Sequence, residues 1–266
     1  MLLEQLGIDD NQKEKLMAEA SVDVIQVDTS FEDSYLIGYT FLILLVLSIM
    51  IYGSRVAGEI TYTKTNRVME VLLTSAKPRD IFIGTTMAVG FAGVLQLGII
   101  VLIGVLGYLA IRPEMVMIDG LKIDFSIITY DKIIIYIAFF VFSYLLYAVI
   151  NAGIGSLVSK NEDIMVAVLP ITLVSCVQIF TGLMMIASPG SIVAKFFSYF
   201  PFTSAGTMVM DYFMGNASLI NVLVSILILI ISVVALTYVA IRVFINGVMY
   251  YGNLNLKSIF KMKGES

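Results

Sequence analysis

The chain contains no histidine, a single cysteine and few charges: 16 Lys and Arg with 20 Asp and Glu, 14% of 266 residues. Each scarcity excludes something. Without histidine, the commonest general base and the commonest metal ligand are both missing, so no catalytic residue and no metal site are expected. Cys176 lies alone inside an apolar run and cannot form an intrachain disulfide. There is no G-x-x-x-x-G-K-[ST] loop to cradle a phosphate, no G-x-S-x-G elbow and no H-E-x-x-H helix. A net charge of -4, a pI near 4.9 and the lack of a basic aromatic patch set nucleic acid aside as a partner.

What the chain has instead is hydrophobicity. Apolar residues make up 59% of it and the mean hydropathy is +0.96, whereas ordinary soluble domains are about 25% charged. This composition reads as a membrane protein whose partner is the lipid bilayer. Five stretches longer than twenty residues contain no Asp, Glu, Lys or Arg: Ser34 to Ser54, Ile81 to Ile111, Ile133 to Ser159, Ile164 to Ala194, and Tyr212 to Ile241. About 20 apolar residues cross the hydrocarbon as a helix. The expected fold is therefore all-α and polytopic, with five spans near 35–54, 81–110, 133–158, 164–187 and 217–241.

The remaining segments fall into place around those spans. Residues 1–33 are acidic and polar, with no basic n-region ahead of an apolar h-region, and read as part of an exposed domain rather than a signal peptide. Between the last two spans, residues 188–215 are apolar and aromatic but interrupted by Pro201. A helical hairpin on the outer face, re-entrant or interfacial, fits that pattern, as does a loop whose aromatics form an interfacial belt. Residues 246–266 are a polar tail. With the first residues outside, ten of the 16 basic residues lie inside and six outside. Positive-inside counting thus gives an outer N-terminus and a cytoplasmic C-terminus.

Inside the spans the bulkiest polar residues are neutral. Gln96 and Gln178 could face a translocation path or hydrogen-bond between helices, and the absence of intramembrane carboxylates weakens an ion-coupled carrier. Ala148, Ala152 and Ser156 recur every four residues, with Asn151, Gly155 and Ser159 beside them. Such stripes of small residues allow close helix packing, the alternative being substrate contact.

The most informative connection runs from Arg55 to Lys77, predicted as a helix that continues past the bilayer until Pro78 ends it. Arg67 and Glu70 are three apart and can pair, while Val68, Met69, Val71, Leu72 and Leu73 cover more than one face. A helix apolar on two sides needs two surfaces to pack against, the second of which a cytoplasmic partner could supply. An ordinary interfacial helix is the plainer alternative.

The same residues resemble a known family. "EITYTKTNRVMEVLLTSAKPRDIFIGTTMAVG", Glu59 to Gly90, is similar to the signature cytoplasmic segment of ABC-2-type permeases, in particular the branch named after the sodium-efflux permease. The match is carried by Asn66, Arg67, Met69, Glu70, Leu72, Leu73, Ser75 and Pro78, with "YFPFTSAGTMVM" and the tail "YGNLNLKSIFKMK" in agreement. Thr85 and Ala205 depart from the lysine and proline common in that family. The resemblance implies the membrane-spanning permease subunit of an ATP-binding cassette exporter in a bacterial or archaeal plasma membrane. It would move an ion or a small amphipathic or peptide-like substrate outward, without enzymatic activity of its own. A nucleotide-independent carrier or channel is the alternative.

The resemblance further implies that ATP and magnesium are bound by a separate cytoplasmic ATPase subunit, and that two permease copies or paralogues pair. Glu59, Asn66, Arg67, Glu70 and Leu72 would meet the ATPase, with Lys160 and Glu162 in a second contact. Family members usually carry a further first helix and a large extracellular domain, so the chain is expected to begin inside that domain.

Overall fold

A computed structural model describes residues 29–110, 117–118, 121–122, 128–187 and 190–249. The expected exposed domain, apart from its last residues, and nearly all of the expected tail lie outside them. The described elements are α1 (Thr29–Thr65), α2 (Val68–Ser75), α3 (Pro78–Ala110), the two-residue strands β1 (Met117–Ile118) and β2 (Leu121–Lys122), α4 (Tyr130–Leu157), a 3₁₀ turn (Asn161–Asp163), α5 (Ile164–Ala187), α6 (Ile192–Tyr199), α7 (Ser204–Phe213) and α8 (Leu219–Val248). β1 and β2 pair antiparallel, Met117 opposite Lys122. Five helices, α1, α3, α4, α5 and α8, are long and apolar enough to cross a bilayer.

α4 is the hub. It is buried on several sides, from Ile135 and Tyr136 to Gly155 and Ser156, and packs most extensively against α8 and α1. The outward faces of α3, α5 and α8 stay apolar, with Phe91, Phe180 and Ile231 all well exposed. In water such surfaces would drive aggregation; facing lipid tails, they carry no such penalty.

α1 has 37 residues, about 55 Å at 1.5 Å per residue, and so outruns the roughly 30 Å hydrocarbon core. Its buried side follows one helical stripe: Leu42, Leu45, Val46, Ile49, Val56 and Ile60, and then, in the same register, Lys64.

Between α5 and α8, α6 and α7 form a hairpin that turns at Pro201 and enters the bundle. Lys132, near the start of α4, donates to the Phe213 carbonyl at the end of α7 at 3.3 Å. Tyr147, 15 residues farther along α4, donates to the Phe202 carbonyl at the turn at 2.8 Å. Fifteen helical residues span about 22 Å, so the hairpin tip reaches well down the length of α4. Nearly all of α7 is buried as a result. At its mouth the Tyr212 hydroxyl donates to the Asp131 carboxylate at 2.5 Å, and that bond pushes the phenol up to about 12.

The interior is not wholly apolar. Tyr136, Ser143, Tyr147 and Asn151 share one face of α4. Among the described residues the Tyr136 hydroxyl, the Ser143 hydroxyl, Asn151 Oδ1 and Gln178 Oε1 are buried without a hydrogen-bond partner. Tyr147 is the satisfied member of this seam, since it also accepts from Gln178 Nε2 at 3.1 Å. Removing its hydroxyl strands both the Phe202 carbonyl and the Gln178 amide. Tyr147→Phe is therefore expected to cost about 1–3 kcal/mol, read as a lower unfolding temperature in lipid nanodiscs, while Tyr199→Phe, outside the seam, changes it little.

Candidate functional site: the end of the bundle at α2

α1 does not continue to Pro78. It stops at Thr65, and Asn66 and Arg67 form a two-residue break before α2. The Asn66 amide still bonds to the Tyr62 carbonyl, but the Arg67 amide bonds to the Lys64 carbonyl at 3.1 Å. Arg67 sits in the left-handed region, with φ 60° and ψ 9°, a conformation that disfavours residues with a Cβ. The expected helix over residues 55–77 is thus two elements. The first part belongs to α1, and only Val68–Ser75 forms a separate helix. Ala76, extended at φ −142° and ψ 153°, ends it, and Pro78 occupies the first position of α3, where its missing N–H has no helical partner to lose.

α2 is amphipathic in an unusual sense. Met69 is fully buried and Leu73 packs on the core, while Val68, Val71 and Leu72 are exposed on the other sides. Asn66, Arg67 and Glu70 are exposed beside them. Arg67 and Glu70 form no ion pair in the structure. Their link is the Glu70 amide bonding to the Arg67 carbonyl at 3.2 Å, and the left-handed twist at Arg67 removes the helical geometry in which an i, i+3 pair would meet.

Glu59 lies on α1 rather than α2. It lines a groove of about 360 Å³ between α1 and α3 with Tyr52, Arg55, Thr63, Thr85 and Ala88. Lys160 and Glu162 are exposed in the α4–α5 connection, which the structure brings to α1: Thr65 Oγ1 lies 3.2 Å from Asn161 Oδ1. The two segments expected to make a common contact therefore adjoin at one end of the bundle.

That end is held together by a residue that sequence reasoning counted only as a positive charge. Lys64 is 0% exposed. Its ammonium donates to the Ser156 carbonyl at 2.6 Å and to the Gly247 carbonyl at 2.8 Å. Both acceptors lie in the last turns of their helices, α4 and α8, where carbonyls lack the amide of a continuing helix and carry the negative end of the helix dipole; the Gly247 carbonyl also accepts from the Met249 amide. Thr61, one turn earlier on α1, donates to the Gly155 carbonyl at 3.0 Å. The signal was present in the sequence, because Lys64 falls on the α1 stripe four residues after Ile60, a position that points inward.

Close approach makes these bonds possible. A Cβ on Gly155 would sit 2.5 Å from the Ala57 carbonyl oxygen, and one on Gly247 would meet the Ser156 backbone at 2.9 Å. Ala148, Ala152 and Ser156 are likewise buried with no exposed surface, Ser156 also donating to the Gly153 carbonyl at 2.7 Å. The two glutamines lie apart. Gln96 is on an exposed face of α3 and accepts from the Tyr52 hydroxyl, whereas Gln178 is enclosed beside Tyr147. No group of three or more His, Cys, Asp or Glu that could hold a metal occurs among the described residues.

The match to known proteins is extensive. A family model described as ABC-2 family transporter protein matches residues 1–242. The chain belongs to that family. It is 28% identical over 216 residues to "Uncharacterized protein YhaP" of Bacillus subtilis, covering 81% of this chain and 52% of the relative. It is 30% identical over 227 residues to "Uncharacterized protein MJ1024" of Methanocaldococcus jannaschii, covering 85% and 53% respectively. The chain thus spans about half the length of the curated relatives it matches. No solved structure matches it. The family consists of membrane components of transporters that are not themselves catalysts.

Two substitutions check this geometry. Gly155→Ala places its methyl against backbone that cannot yield, and is expected to destabilise by about 1–3 kcal/mol. Gly58→Ala, with nothing within 4 Å, should be neutral or up to about 1 kcal/mol stabilising. Thermal unfolding followed by size-exclusion chromatography distinguishes them; equal behaviour would contradict the α1–α4 contact.

Proposed function

We propose that this chain is the permease part of an ATP-driven exporter, and that α2 with the 159–163 connection receives a separate cytoplasmic ATPase subunit that binds the ATP and magnesium. The observation that carries the reading is the exposed apolar side of α2. Val68, Val71 and Leu72 stand in the open beside Asn66, Arg67 and Glu70, at a bundle end whose basic residues, by positive-inside counting, face the cytoplasm. Lipid would cover an apolar helix there, but it does not call for exposed charges of both signs among the apolar residues. A protein surface with a hydrophobic centre and a polar rim suits them better.

In this reading a second permease copy or paralogue completes the transporter, the N-terminal side lies outside by positive-inside counting, and the cargo is an ion or a small amphipathic or peptide-like molecule. Lys160 and Glu162 extend the proposed contact to the α4–α5 connection, adjacent through Thr65 and Asn161.

Reversing one charge in such a contact disturbs an interface more than a free surface. Glu70→Arg in the full-length protein, co-expressed with its ATPase subunit, is expected to lower the subunit's stimulated ATP turnover at least tenfold while membrane insertion and unfolding temperature stay unchanged. Unaltered turnover, or a wild-type protein that binds no ATPase subunit at all, would overturn the assignment of α2.

A further inference from the structure

Lys64 sits where three helix ends and the proposed docking helix meet. From its backbone the chain runs through Thr65, Asn66 and the left-handed Arg67 directly into α2. From its side chain, two hydrogen bonds run to the last turns of α4 and α8, 92 and 183 residues away in the chain. We infer that Lys64 is the joint that makes α2, α4 and α8 move as one unit, a positioning residue for transport that rests on the reading of α2 as the ATPase contact.

Two physical features distinguish a joint from a simple cap. First, charge-assisted bonds in a site closed to water are strong and short-ranged, so drawing the ammonium away from these two carbonyls is costly. A displacement of the last turn of α1 must therefore carry the ends of α4 and α8 with it or break both bonds together. Second, α2 has little else to move with. Its break from α1 at Asn66–Arg67 interrupts the helical ladder, and Met69 is its only buried residue. Backbone carbonyls as acceptors add a further property: the Lys64 bonds survive any side-chain change at positions 156 and 247 that the close packing admits.

The test uses the full-length protein with its ATPase subunit in nanodiscs, in a Cys176→Ser background, with spin labels at Thr74 on α2, Met249 at the end of α8 and Phe180 on α5, all exposed positions outside the proposed ATPase contact. ATP is the probe. In the wild type, ATP should change the Thr74–Phe180 distance while leaving Thr74–Met249 unchanged. In Lys64→Met, binding of the ATPase subunit should stay within about twofold, the Thr74–Met249 distance should now change with ATP, and stimulated turnover should fall about tenfold, within the 5- to 150-fold range usual for coupled sites.

Should Lys64→Met fail to insert, Lys64→Gln, which keeps a donor but not the charge, is read in the same way. A wild-type Thr74–Met249 distance that changes with ATP overturns the joint whatever the variants do. So does a Lys64 variant that retains both the constant distance and the turnover. A wild type that binds the ATPase subunit but fails these readings sinks the joint alone, and one that binds no subunit sinks the docking assignment and the joint with it.

Discussion

A lysine ammonium removed from water must find acceptors in the protein, and in a bundle of apolar helices nearly every carbonyl is already engaged in its own helix. The carbonyls in the last turn of a helix are the exception. Lys64 therefore constrains the architecture as much as it is constrained by it: α4 and α8 must end at the level of the last turn of α1, and side by side. Gly155 and Gly247 lie at those crossings because a Cβ at either would strike backbone. The near-contact of three helix ends, the exposure of α2 beyond them and the adjacency of the α4–α5 connection follow from that one buried charge.

The rest of the bundle obeys a different balance. Lipid-facing surfaces of α3, α5 and α8 need only be apolar, and their sequences show little else. The interior around α4 is where specificity lies. There the hairpin of α6 and α7 enters from the opposite end and is held by Tyr147, while neighbouring polar atoms of Tyr136, Ser143, Asn151 and Gln178 stay unpaired among the described residues. Unmet polar groups in a low-dielectric interior raise the energy of the arrangement that contains them. A bundle tied by charge where α2 attaches also carries, along α4, a polar seam that is less fully satisfied.

Much of this was legible beforehand, for identifiable reasons. Spans were readable because hydrocarbon tolerates no long charged run, so the charge-free stretches marked the five helices long and apolar enough to cross. Pro201 was legible as an interruption, in a hairpin or a loop, while Pro78, read only as the end of the helix before it, instead opens α3. The two apolar sides of α2 were visible from Met69 and Leu73 against Val68, Val71 and Leu72. The break at Asn66 and Arg67 was not, because "TKTNRVMEV" contains no glycine or proline and its helical propensity is unremarkable. Arg67 is left-handed because α1 is pinned at Lys64 and α2 must turn to bury Met69, and neither demand is local. Lys64 itself was read as one more cytoplasmic charge, since counting charges ignores the direction in which each points.

By itself, then, the sequence determined what depends on composition along a stretch of chain: a membrane-spanning all-helical fold, the number of crossings, the lack of histidine chemistry and the family motif around Asn66 to Pro78. The tertiary structure decided what depends on meeting partners remote in the chain. It made Lys64 a buried tie between α1, α4 and α8, enclosed Gln178 while leaving Gln96 exposed, and set Glu59 in a groove with α3. Solvation by lipid or water acts on each residue where it stands, so its imprint is written locally. A hydrogen bond between residues 183 positions apart exists only once the chain has folded to bring a helix end within reach.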